Sequence, residues 1–465
     1  MKIIIFKLFI ILSLLILGSC SNDDDYTILE AEEGEAFSGG ALTIFDVSQN
    51  AFDFQAPTLD GDNALFFFTG NSLFNQSWVT APASTTARDG LGPLFNARAC
   101  ATCHIGDGRG RAPEFDGELN HGLLLRLTTS GNQINGSSNI DSNYGGQLQD
   151  QSILGIETEA GFSITYEEET VNYPDGTVRN IRKPTYTINN LAYGNTDSDL
   201  KVSPRVANQM VGLGLLEAIP ESTLLSIADP TDADGDGISG KPNNVWDLET
   251  ASFQIGRFGW KANEPNLKQQ IAGAFSGDIG ITSSIFPDEN CPPGIDCTTL
   301  ANGGSPEITD ENLGRVTLYT SSLAVPGRRN VDDQDVLRGK ALFNDIQCAA
   351  CHIPKLETGS HSLSILENQT IRPYTDLLLH DMGPGLADNA TDFEASGSEW
   401  RTAPLWGIGL IETVNGHTNL LHDGRARNIE EAILWHGGEA EPAKDAFVNL
   451  EAQERQQLIL FIESL

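Results

Sequence analysis

Three textures of apolar and polar residues follow one another along the chain. Residues 1–20 set Lys2 and Lys7 around an apolar run over 3–17 and close on Leu17-Gly18-Ser19-Cys20, the charged start, apolar middle and small-residue end of an export signal. The run falls short of the ~20 apolar residues that a membrane-spanning helix needs. Residues 21–35 then form an acidic tether that begins Ser21-Asn22-Asp23-Asp24-Asp25. From about 119 to 200 apolar and polar residues alternate, so that Phe162-Ser163-Ile164-Thr165-Tyr166 and Lys183-Pro184-Thr185-Tyr186-Thr187-Ile188 predict strands joined by Gly- and Asn-rich turns. Helical spacing predicts helices over 206–217 and 267–275. Another opens at Asp332, Asp333 and Asp335, acids that cap and complement a helix start carrying Val336, Leu337, Ala341 and Leu342. A last begins near Asn449, with Leu458, Phe461, Ile462 and Leu465 on one face.

The seven cysteines change this picture most. Cys100-Ala101-Thr102-Cys103-His104 and Cys348-Ala349-Ala350-Cys351-His352 share a spacing in which two thiols can bond the two vinyl groups of one porphyrin while the adjacent imidazole points at its iron. A zinc ribbon would require a second Cys pair beside each, and neither has one. Two covalent haem c groups are therefore expected. Leu94-Phe95-Asn96 with Gly92 precedes the first motif as Leu342-Phe343-Asn344 with Gly339 precedes the second, 248 positions on, which reads as two copies of one haem-binding unit. The expected fold is mainly α, with two cytochrome c-like haem domains: residues 36–330, carrying a large β-rich insertion at about 119–200, and residues 331–465.

Cys20 ends a lipobox-like segment and is the expected lipid acceptor. Cys291 and Cys297 flank the turn-rich Pro292-Pro293-Gly294-Ile295-Asp296 and are expected to pair in an oxidising compartment. Haem attachment to thiols and an export signal point to the same place, the cell envelope. An outer-membrane lipoprotein facing the periplasm or the surface follows, touching membrane only through the lipid on Cys20. The balance of 28 basic against 64 acidic residues, net −36, excludes nucleic acid and direct binding to an anionic membrane. It suits a basic or neutral electron donor, whether a protein or a small redox molecule.

Further polar groups carry candidate chemistry. Asp232, Asp234 and Asp236 alternate in a Gly-punctuated loop of the kind that wraps calcium, although Asn243 stands where an EF-hand has its twelfth-position Glu. Glu217 closes the apolar run 212–216, where burial would perturb its carboxyl. Asn428 can cap a short helix whose Ile429 and Ile433 share a buried face, leaving His436 at its end pointing inward before Gly437 turns the chain away.

The runs 212–220, 256–281 and 377–387, and the segment from His422-Asp423-Gly424-Arg425 to His436-Gly437-Gly438, resemble the di-haem oxidoreductase branch of the bacterial di-haem cytochrome c peroxidase superfamily. The resemblance implies that His436, 14 positions past His422, is the second axial ligand of the C-terminal haem, where relatives use Met or Tyr; Met382 competes for that place. It implies that Trp260 lies between the haems and that Gln270, ten positions on, faces the peroxide site. The carboxylate expected a further ten positions on is displaced here: Asp278 stands eight beyond Gln270 and is one carbon shorter than Glu. His121, 17 residues after His104, reads as a surface or packing residue, while the resemblance offers the alternative of a displaceable ligand on the first iron. The activity implied is that of an exported peroxidase-like oxidoreductase. Electrons would pass from a haem held by His352 and His436 to one held by His104, which meets peroxide or another oxidant. A non-catalytic envelope electron-transfer cytochrome is the alternative.

Overall fold

In a computed structural model, the structure describes residues 30–118 and 122–465. The export signal, the tether as far as residue 29, and His121 lie outside the described residues. Two helix crossings carry much of the core. Helix Gly61–Asn75 lies along Asp310–Ser321, burying Phe67, Leu73 and Phe74 against Leu313, Val316 and Tyr319. Helix Gln334–Asp345 lies along Ala452–Ser464, burying Val336, Leu342 and Phe343 against Leu458, Phe461 and Ile462. A glycine lets each pair close: a Cβ on Gly70 would stand 2.2 Å from the Arg315 carbonyl oxygen, and one on Gly339 2.0 Å from that of Gln457. Asp333 caps the third of these helices by accepting from the Asp335 and Val336 amides, and Glu451 with Glu454 forms a capping box on the fourth.

The expectation of a mainly α fold is corrected. Helices hold 29% of the chain and strands 19%, and the strands are spread over many small sheets. Six of the seven sheets among the described residues have only two strands, and most of these are ladders of two to four residues that staple loops together, such as Leu379–Asp381 against Glu399–Arg401. Such pairings are too short to leave a periodic signature. The helix predicted over 206–217 shows the difficulty: strand Lys201–Val206 pairs with Leu123–Asn132, and only Leu213–Glu217 is helical. Gly212 makes the turn between them at φ +71°, packed so closely on Trp406 that a Cβ would stand 2.2 Å from its ring. The helix predicted over 267–275 is Leu267–Ala274, followed by a widened π turn over Phe275–Ile279.

The longest strands, Gly161–Asn172 and Val178–Asn189, form an antiparallel hairpin of twelve paired positions. It leans on the segment around His422: Tyr173 donates to Glu430 at 2.9 Å, and the Arg182 guanidinium donates to the carbonyls of Gly424 and Arg425. At the start of the described chain, buried Glu35 is paired with Arg328 and with Lys340, so this segment is tied to the Gln334–Asp345 helix. Cys291 and Cys297 form a disulfide with a Cα separation of 6.0 Å. Among the described residues no helix is long and apolar enough to cross a membrane.

The crossing glycines have a direct test. Gly339→Ala should lose about 1–3 kcal/mol of stability in denaturant melts, because overpacking against a fixed carbonyl exceeds the ~1 kcal/mol helix-propensity gain. Gly314→Ala, on a helix position with nothing within 4 Å, should keep or raise the midpoint.

Candidate functional site

Both Cys-x-x-Cys-His motifs fold as a short 3-10 turn, Cys100–Thr102 and Cys348–Ala350, in which the His amide returns to the first Cys carbonyl at 3.0 Å. Their side chains line one continuous cavity of about 860 Å³ together with His436. The three imidazoles are held alike. His104 Nδ1 donates to the Asn208 carbonyl at 2.7 Å, His352 Nδ1 to that of Tyr374 at 2.9 Å, and His436 Nδ1 to that of Ala432 at 2.7 Å. A carbonyl only accepts, so each ring carries its proton on Nδ1 and keeps the Nε2 lone pair for a metal. Burial lowers the pKa of His104 and His436 and takes His352 to about 4, with His436 adding to that last shift from close by. All three are therefore neutral imidazoles at pH 7.

Burial pushes Cys100, Cys103 and Cys348 up to about 12, with Asp278 contributing at the first two, and raises Cys351 as well. Four neutral thiols, each pair beside a ring with a free Nε2, fit two haem groups.

The structure also redraws the internal repeat. Leu94–Phe95 is a strand paired with Gln151–Ser152, whereas Leu342-Phe343-Asn344 belongs to the helix Gln334–Asp345. The structural counterpart of that helix end is Gly70-Asn71-Ser72-Leu73-Phe74-Asn75, matching Gly339-Lys340-Ala341-Leu342-Phe343-Asn344. Phe74 packs on the His104 ring at 6.1 Å between centroids, and Phe343 on His352 at 6.3 Å. Phe74 stands 26 positions before Cys100 and Phe343 only five before Cys348, which hides the equivalence from a motif-anchored alignment.

Around the second motif, Asn428 caps helix Ile429–Leu434 by accepting from the Glu431 amide at 2.9 Å, which delivers His436 to the cavity wall. Met382 lines the same cavity. His422 lines the cavity as well. Its ring stacks on Trp400 at 3.7 Å and 11°, and burial takes its pKa to about 3. His380, which sequence reading passed over, is buried with one ring nitrogen 2.8 Å from Asp376 and the other 2.7 Å from Glu439, beside Cys351 Sγ.

Around the first motif, Trp260 is buried, its Nε1 donating to the Val206 carbonyl at 2.8 Å with the Arg109 guanidinium 4.9 Å over its ring. Gln270 lines the cavity from helix Leu267–Ala274, and Asp278 from the π turn that follows it. Asp278 accepts from Gln147 Nε2 at 2.8 Å, Gln147 in turn accepts from Arg126 at 3.1 Å, and burial raises the Asp278 pKa. Glu217 is placed elsewhere. It is absent from the cavity wall, and its two carboxylate oxygens accept from the Leu267 amide at 2.8 Å and face His361 at 3.1 Å, so it fastens the start of helix Leu267–Ala274.

A carboxyl that sequence reading missed stands in the wall instead. Glu264 accepts from Gln269 at 2.9 Å, and burial raises it to about 7. Its only trace in the sequence is its place four residues after Trp260. Asp232, Asp234 and Asp236 bring carboxylate oxygens within 4.8 Å of one another on an exposed loop.

Glu264 supplies a pH test. Its folded value near 7 exceeds its ordinary 4.5, so its contribution to folding is complete below about 4.5 and is lost as pH rises through about 7. Relative to the wild type, Glu264→Gln should melt at the same temperature near pH 4.5 and at a higher one near pH 7.5; an unchanged difference across that range would refute the raised value.

Searches of curated proteins and of solved structures found no match. A family model described as di-haem oxidoreductase, putative peroxidase, matches residues 33–465. Coverage of that extent, over both motifs and the cavity between them, makes the chain a member of the di-haem oxidoreductase family.

Proposed function

We propose that the protein is an exported di-haem c-type oxidoreductase of peroxidase type, drawing electrons from a donor through a C-terminal bis-His haem and delivering them at an N-terminal haem to peroxide or a related oxidant. Three imidazoles with Nδ1 fixed and Nε2 free, facing one cavity with four neutral thiols, are the observation that carries it. Haem bound at each motif supplies an iron that changes oxidation state by one electron. Thioethers to Cys100 and Cys103, and to Cys348 and Cys351, would fasten the groups. His104 would hold the first iron, and His352 and His436 the two faces of the second. Imidazole in place of thioether at His436 sets a lower potential for the second haem than Met would, appropriate to the electron-supplying side.

The remaining work is proton management. Cleaving the O–O bond of peroxide needs a proton removed from the near oxygen and delivered to the departing one. Asp278, raised by burial and held by Gln147 beside the first motif, would carry this proton, and Glu264, with its value near 7, would be a proton reservoir in the same wall. Gln270 orients the bound oxidant, and Trp260 with its buried ring fills the space along which the two motifs face one cavity. In the same reading, Cys20 carries the lipid that holds the protein at the envelope, and the Asp232–Asp236 loop takes a calcium ion, which calorimetric titration of the full chain with calcium would register.

Protein matured with its haem should contain two haems per chain by pyridine haemochrome assay; fewer would remove the basis of the proposal. His436→Ala should convert the second haem from low-spin six-coordinate to a form that binds carbon monoxide when reduced, leaving the first haem's spectrum as it was. Asp278→Asn should retain both haems and reduce peroxide turnover by about 10²–10⁴-fold, whereas full turnover would assign the proton step to another group.

A further inference from the structure

We propose that Glu439 is the clasp that keeps His436 seated on the second haem, and that it does so by fastening the chain just after His436 to His380 and to Ser239. The inference deepens the function above and rests on its assignment of His436 as an iron ligand. Glu439 lies three residues past His436, in the short turn Gly438–Ala440. Its carboxylate accepts four hydrogen bonds from two other parts of the chain. Oε2 receives His380 Nδ1 at 2.7 Å and the Ser239 amide at 3.0 Å; Oε1 receives the Ser239 hydroxyl at 2.6 Å and the Asp381 amide at 3.2 Å. Four donors saturate the carboxylate's lone pairs.

The receiving surface is rigid. His380 sits in strand Leu379–Asp381, paired with Glu399–Arg401, and its Nε2 donates to Asp376 at 2.8 Å. Both ring nitrogens thus face carboxylates and both must donate, which makes the ring an imidazolium. Burial alone would lower the His380 pKa, yet Asp376, Cys351 and Glu439 offset it and carry it to about 12; burial would raise Glu439, and His380 with Ser239 brings it to about 2. The backbones meet flush as well. A Cβ on Gly438 would stand 2.2 Å from the Asp381 carbonyl oxygen, and one on Gly383 2.8 Å from the Gly438 amide nitrogen.

The cluster therefore touches both faces of the second haem's site. His380 Nδ1 is 3.6 Å from Sγ of Cys351, the residue before His352, while Glu439 controls the loop that carries His436. Ser239 adds a third attachment, the loop that begins at Asp232. Apart from the clasp, His436 is held at the end of the six-residue helix Ile429–Leu434 by its ring's bond to the Ala432 carbonyl, its amide's bond to the Ile433 carbonyl and the close packing of Gly438 on Asp381. Glu439 and His380 are positioning residues. They touch no reacting atom, and their effect is read at the second iron.

The test uses the full-length protein with both haems in place. Glu439→Gln keeps the shape but turns two acceptor sites into donors facing donors. It should convert part of the second haem from low-spin to a carbon-monoxide-binding form on reduction, in the direction of His436→Ala, with the first haem's spectrum nearly unmoved. Ser239→Ala should produce a smaller change of the same kind. A Glu439→Gln protein whose second haem stays wholly low-spin and closed to carbon monoxide, while His436→Ala opens it, overturns the clasp and leaves the ligand assignment standing. A second haem that stays closed in His436→Ala removes the assignment and the clasp together. If Glu439→Gln does not mature with two haems, Ser239→Ala decides: partial opening supports the clasp, and a closed haem overturns it.

Discussion

A single recurring contact, the imidazole Nδ1–H donated to a backbone carbonyl, governs what this protein can bind. A neutral histidine has two tautomers, and one of them presents a proton to a metal. By tying Nδ1 of His104, His352 and His436 to the carbonyls of Asn208, Tyr374 and Ala432, the fold selects the tautomer that presents a lone pair. The rest of the architecture exists around that selection. Asn208 follows strand Lys201–Val206, Tyr374 stands at φ +53° in the loop before Leu379–Asp381, and Ala432 is one turn back on the helix that delivers His436. Three different devices reach one chemical outcome.

That outcome was only half legible in the sequence. The two Cys-x-x-Cys-His motifs declare their chemistry because all their atoms are local, and Asn428, Asp333 and the face Leu458, Phe461, Ile462 declare their roles for the same reason. The carbonyl partners of the histidines are not readable, since any residue supplies a carbonyl. Glu264 and Glu217 show the same limit from the other side. Glu217 closes an apolar run and Glu264 stands between Asn263 and Pro265, and only the packed structure shows that Glu264 lines the cavity while Glu217 fastens a helix start. His380 could not be singled out either, because Asp376 and Glu439, which define it, lie four and 59 positions away.

The fold class failed for a related reason. Of the four helices that form the two crossings, Gln334–Asp345 and Ala452–Ser464 announce themselves through a cap or repeated spacing, whereas Gly61–Asn75 and Asp310–Ser321 were not singled out by their pattern. Ladders of two or three residues have no repeat to detect, although they carry Leu94, His380, Trp400 and Arg401 into the cavity wall. The β-rich stretch was visible because its hairpin strands are twelve residues each; the small sheets elsewhere were not. Pattern therefore located one of the two crossings and passed over the stitching.

The two glycine-closed crossings separate two quantities that are usually linked. Where the aromatic ring meets the histidine of each motif is set by how one helix lies on another, not by the loop that joins helix to thiols. Phe74 and Phe343 reach equivalent places although 26 positions separate one from its cysteine and five the other. Loop length between these points is consequently a free variable over evolutionary time, open to insertions that decorate one end of the molecule while the geometry beneath them stays fixed.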